Sequence, residues 1–144
     1  MCWKINNFFV MEIIIIIILI LVNGFLSMSE MAVVSARKSK LETDAKKGSK
    51  SAKAALELAD NPDNFFSTLQ IGITLIGILT GLFSGEAFAA DLSVYVAKIS
   101  FLSPYAYMIS KALIVILVTY LTLVIGELVP KRLGMAKAES IAKF

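Results

Sequence analysis

Three apolar runs, at residues 11–34, 65–83 and 104–129, are too long for a soluble core, and at about 1.5 Å per helical residue each can cross a bilayer. Such a chain has few ways to fold. Lipid offers no water to satisfy backbone N–H and C=O groups, so each run is expected to be a helix. The segments between them are short, charged and amphipathic. The expected fold class is therefore an all-α membrane protein, with three transmembrane helices and juxtamembrane amphipathic helices, in a single domain over residues 1–144. Small residues after the first run (Ala32, Ser35, Ala36) resemble a cleavage site. Glu12 before the run, with Arg37 and Lys38 after it, instead marks a retained span.

Composition excludes several chemistries. One cysteine, Cys2, cannot form an internal disulfide, and with no histidine the usual zinc and haem ligands are missing. The net charge of +3 comes from basic residues beside apolar blocks, with no nucleic-acid motif, so the expected surface partner is the lipid bilayer. No Gly-x-x-x-x-Gly-Lys-Ser/Thr loop is present, which removes direct nucleotide hydrolysis, and no enzyme activity is expected.

Polar groups inside the apolar runs carry the functional information. Asn23, Ser27 and Glu30 stand at i, i+4 and i+7 and so share one face of the first helix. Asn and Ser often bond across packed helices; a glutamate goes further, because a charge in the membrane is a functional group by default. In the second run Gln70, Thr74, Gly77 and Gly81 repeat at i, i+4, i+7 and i+11, beside Ser67, Thr68 and Thr80. The Gly77–Gly81 step permits close approach of another helix, and the polar neighbours suggest a cavity.

The third run ends in Gly126-Glu127-Leu128-Val129-Pro130-Lys131. A carboxylate there costs about 2.5–3.5 kcal/mol on insertion scales if it lies centrally and unpaired. Pro130 has no amide hydrogen, so the Gly126 carbonyl four residues earlier loses its helical donor and is expected to be free for another partner. Carboxylate and carbonyl are hard oxygen ligands suited to Mg²⁺, Ca²⁺ or Na⁺. The competing reading pairs Glu127 with Lys131 or Arg132 at a helix end.

Between the runs, residues 37–60 hold seven basic side chains and a break at Gly48. Ala52, Ala55, Leu56 and Ala59 then form the stripe of an amphipathic helix expected to lie on the membrane. Asn61-Pro62 and Ser103-Pro104 are each expected to cap and open a helix. Residues 81–85 are expected to break the second helix, leaving 86–101 as an amphipathic surface segment, and Lys111 to snorkel outward. Eleven of the fourteen Lys and Arg residues fall in the first loop and the C-terminal tail. That asymmetry places the C-terminus in the cytoplasm and the N-terminus outside a plasma (inner) membrane, with Glu30 and Glu127 near the cytoplasmic side.

Asn23-Gly24-Phe25-Leu26-Ser27-Met28-Ser29-Glu30-Met31-Ala32, Thr68-Leu69-Gln70-Ile71-Gly72-Ile73-Thr74-Leu75 and Gly126-Glu127-Leu128-Val129-Pro130-Lys131 resemble, in order and spacing, the three spans of the CNNM/CorC family of transmembrane domains. The resemblance implies a homodimer and secondary transport that exports Mg²⁺ as bound substrate, coupled to Na⁺ influx. It also implies a dehydrated cation site with Ser27 and Glu127 as ligands. Gly126, Asn23, Thr74, Gln70 and Ser67 complete the candidate set. Many magnesium-transporting members carry Gly-Asn in span two where this chain has Gly72-Ile73, so Thr74, Gln70 or Ser67 must supply the missing ligand, or the substrate differs. Relatives continue into a cytoplasmic CBS-domain pair, which makes this chain an expected fragment. Two alternatives remain: a polyamine or organic-cation exporter on the same scaffold, and a non-transporting membrane anchor for sensor domains.

Overall fold

The computed structural model describes residues 2–143, which contain helices and turns and no strand. Helix α1 (Cys2–Ser35) carries the first span over Val10–Ser35. Its isoleucine-rich N-terminal half exposes Ile14, Ile17, Ile18 and Leu21, and the C-terminal half buries Asn23, Ser27, Ala32 and Val33. Helix α4 (Pro62–Val96) holds the second span, Pro62–Glu86. The third span, Ser103–Ala136, is composite. It opens with a 3₁₀ turn (Ser103–Tyr105), continues as α5 (Ala106–Leu123), widens into a π-helical segment (Val124–Leu128), and resumes as α6 (Val129–Ala136).

One expected boundary moves. Helix α4 does not break at residues 81–85; it runs on to Val96, so the expected surface segment 86–101 is the last turns of this helix plus a turn. Ser84 and Gly85 are buried there against α5, and a side chain at Gly85 would meet Val115 Cγ2 at 2.9 Å. Packing thus outweighs the helix cost of two glycines, about 1 kcal/mol each. Pro62 occupies the first helical position as expected, but the Asn61 side chain makes no cap bond, nor does any side chain cap the turn at Ser103.

The third span changes partner along its length. Helix α5 lies along α4, whereas the π segment and α6 lie along α1. This crossing needs small residues. A Cβ at Gly134 would sit 2.5 Å from the Met28 carbonyl oxygen, and one at Gly24 would lie 3.1 Å from Pro130 Cγ.

Three short helices form a belt at one end of the bundle: α2 (Lys38–Lys46), α3 (Lys50–Asp60) and α7 (Ala138–Ile141). Gly48 turns the chain between α2 and α3 at φ +91°, a conformation L side chains rarely adopt, and Ser49 Oγ caps α3 by accepting from Ala52 N–H at 3.2 Å. The apolar stripe of α3 does not lie on the membrane with its whole face. Ala55 packs with Ala36, Leu41 and Ala138, flanked by Leu56 and Ala142, to make a small protein core. Arg37–Glu139 (2.8 Å), Lys143–Asp44 (2.8 Å) and Lys38–Asp60 (2.9 Å) tie the belt together. The Arg37 guanidinium holds the Glu139 carboxyl below its ordinary range, and the Lys143 ammonium does the same for Asp44.

Candidate cation site

At the crossing of α1, α4 and the third span lies a cavity of about 240 Å³. Asn23 enters from α1, Gln70 and Thr74 from α4, and Thr119, Thr122 and Glu127 from the third span; Ile73 and Leu123 supply apolar wall. Two of the three residues in the predicted stripe on α1 are buried, and Glu30 is half-buried. Asn23 is 3% exposed and Ser27 is fully buried.

The π segment explains how the third span contributes. Its wider turn, closed by Val129 N–H to the Val124 carbonyl, absorbs the missing amide of Pro130 and presents Gly126 toward α1. The Gly126 carbonyl is not left bare. Asn23 Nδ2 donates to it at 3.1 Å across the buried crossing. Because that carbonyl can only accept, the amide nitrogen must face it, and Asn23 Oδ1 is turned away. The Cβ missing from Gly126 would lie 3.3 Å from Asn23 Nδ2 and from the Ile20 carbonyl oxygen, so a larger residue would have to push the crossing apart by a few tenths of an ångström.

Three buried oxygens on the α1 face have no hydrogen-bond donor: Asn23 Oδ1, Ser27 Oγ and Glu30 Oε2. Buried polar atoms are nearly always satisfied, and each one left open costs about 1–3 kcal/mol. Three in two helical turns define a line of acceptors. Across from them, Lys131 Nζ lies 2.8 Å from Glu127 Oε1 and 3.4 Å from Glu30 Oε2. The competing salt-bridge reading therefore holds for Lys131, which also reaches α1, while Arg132 points outward and is exposed. Among the described residues no three Asp, Glu, His or Cys side chains converge, so a cation here would meet neutral oxygens and at most two carboxylates.

The expected site residues separate into groups. Asn23 and Gly126 meet at the crossing, Asn23, Glu127, Gln70 and Thr74 line one cavity, and Ser27 is buried one turn further along α1, outside the cavity lining. Thr74 Oγ1 donates to the Gln70 carbonyl at 2.8 Å, which leaves its lone pairs available. Ile73, where an amide was expected, is 8% exposed and lines the cavity as hydrocarbon. Ser67 is exposed and stands outside the cavity lining. Thr119 and Thr122 were not among the expected residues. With Tyr120 they are the only polar residues in 112–125, and that was the available signal.

Residues 14–144 match the CNNM family, described as the Cyclin M transmembrane N-terminal domain. The chain belongs to this family. It is a multi-pass membrane protein of the CNNM type, as the three spans require. It is 51% identical over 132 residues to the UPF0053 protein sll0260 of Synechocystis, covering 92% of this chain and 30% of that protein. It is 35% identical over 131 residues to the polyamine export protein of Escherichia coli K12, covering 91% and 29%. With the UPF0053 protein YugS of Bacillus subtilis it shares 29% over 133 residues, covering 92% and 31%. The CNNM domain here thus spans about three tenths of the length of these curated relatives.

Proposed function

We propose that this CNNM domain is the membrane part of a secondary transporter that exports Mg²⁺, driven by Na⁺ entry. The observation that carries the reading is a set of buried oxygens on one face of α1: Asn23 Oδ1 and Ser27 Oγ have no partner, Glu30 Oε2 has only the 3.4 Å ion pair to Lys131, and the Asn23 and Glu127 side chains line one cavity. Their cost is offset when a cation supplies the missing positive partner. Hard oxygen donors without sulfur or imidazole suit Mg²⁺ or Na⁺. Gln70 and Thr74 are the span-two groups that replace the expected amide. Moving a divalent ion outward costs about 4.6 kcal/mol per 100 mV, twice the single-charge value, so a downhill ion is required. The belt faces the cytoplasm of the plasma membrane, which puts the carboxylates at the inner mouth, and two copies associate through the open Gly77–Gly81 face of α4.

A second reading has specific support. A relative sharing 35% identity is named a polyamine export protein, and the two carboxylates already accept an ammonium, that of Lys131. A linear diamine would place its amines against the same oxygens.

Reconstituted full-length protein decides between them. Sodium-driven Mg²⁺ efflux that is lost in Glu127→Gln, with the fold retained, is the expected result. Diamine transport with no Mg²⁺ competition would transfer the site to organic cations. Unchanged Mg²⁺ affinity in folded Glu127→Gln would remove the site altogether.

A further inference from the structure

We propose that Lys131 is the built-in counter-cation of this site: its ammonium bridges Glu127 and Glu30 when no substrate is bound and leaves when a cation enters. The proposal rests on the cation-site reading above and adds a competitor to it. Three observations carry it. The ammonium bridges carboxylates from two different helices, at 2.8 and 3.4 Å. The longer contact is an ion pair without a hydrogen bond, since Glu30 Oε2 is buried and has no donor, so one of the two attachments is incomplete. The side chain is also a quarter exposed, which leaves it a route to water.

Charge balance gives the sense of the exchange. Glu30 and Glu127 together carry two negative charges, and Lys131 leaves one of them uncompensated. A divalent cation matches the pair only if the ammonium withdraws, because a bound Mg²⁺ and the Lys131 ammonium would otherwise share the same oxygens and repel. Lysine suits that task. Its charge sits on a flexible four-carbon stem that can swing toward the aqueous boundary, unlike a planar guanidinium held by two parallel bonds.

The location couples the exchange to structure. Lys131 lies in the first turn of α6, next to Pro130, which packs over Gly24. Release of the ammonium removes the side-chain tie between Glu30 on α1 and the start of α6. Substrate occupancy is thereby communicated to the α1–α6 contact, while the Asn23–Gly126 bond keeps the crossing in register.

The test is equilibrium Mg²⁺ binding to purified full-length protein in detergent. Lys131→Met keeps the stem and removes the competitor; its apparent Kd should fall about tenfold, the equivalent of one modest ion pair. Lys131→Arg retains a competitor and should bind no more tightly than wild type. A Lys131→Met protein that binds Mg²⁺ as wild type does, or more weakly, overturns the proposal in favour of a purely structural bridge. Should Lys131→Met not fold, the wild-type protein supplies the answer. Mapping of amine modification by mass spectrometry should show Lys131 more reactive in saturating Mg²⁺ than without it, and equal or lower reactivity overturns the exchange. Glu127→Gln separates the two levels. If it abolishes Mg²⁺ binding while Lys131→Met changes nothing, the site stands and the counter-cation falls; if wild-type protein binds no Mg²⁺, both fall.

Discussion

Glycines do opposite work in the two halves of the bundle. Along the α1 crossing, Gly126 and Gly134 exist to bring backbones together: a Cβ at either would meet atoms of α1 at 3.3 Å or less. On the α4 face, Gly77 and Gly81 have nothing within 4 Å and line open space beside Thr74 and Thr119. One set closes a contact that positions the polar site; the other leaves a groove. Glycine spacing alone therefore does not tell a packed seam from an open one, because the outcome depends on which helix arrives opposite.

The largest effect that could break this comparison belongs to the seam. Gly134→Leu should cost about 3 kcal/mol, the upper end for overpacking, because the Met28 carbonyl cannot move as a side-chain tip would. Thermal unfolding in detergent would register it, and a neutral outcome would mean that α6 is not held against α1. Asn23→Leu should come next. It leaves the buried Gly126 carbonyl without the donor that replaced a helical amide, at a cost of about 1–2 kcal/mol.

The groove gives the opposite expectation. Gly77→Ala with Gly81→Ala should range from neutral to about 2 kcal/mol more stable than wild type in the dissociated chain, since helix propensity favours alanine and no contact is crowded. A marked loss confined to the associated form, detected by thermal unfolding alongside sedimentation, would place a second copy in the groove.

The smallest effect sharpens the contrast between the bundle and its belt. Glu139 and Asp44 are held below their ordinary values by Arg37 and Lys143. A depressed carboxylate contributes stability above its unfolded pKa, and that contribution disappears as pH falls through the folded value. Hydrogen exchange in residues 138–143 should therefore accelerate below about pH 4, the ordinary carboxylate range, while the apolar spans remain protected. Equal acceleration in the spans would show that belt and bundle are one cooperative unit.

Much of the site was legible before the fold. Asn23, Ser27 and Glu30 had to share a face because helical spacing leaves no alternative, and Pro130 had to release a carbonyl because it carries no amide hydrogen. The destination of that carbonyl was less accessible. Local chemistry predicts a missing donor but not that Asn23, 103 residues away, supplies a new one. The continuation of α4 past Gly85 was hidden for a similar reason: glycine weakens a helix locally, and only the close passage of Val115 reveals that a larger side chain would not fit.

The sequence by itself determined that this chain crosses a membrane three times as helices, because lipid forbids open backbone, and that its polar groups lie on particular helix faces, because the helical period is set by covalent geometry. Tertiary structure alone decided which faces meet. It turned the third span from α4 to α1 at the π segment, placed the Lys131 ammonium between carboxylates of two helices, and left Ser67 outside. Those outcomes depend on close approach between distant segments, and no local propensity encodes a distance between helices.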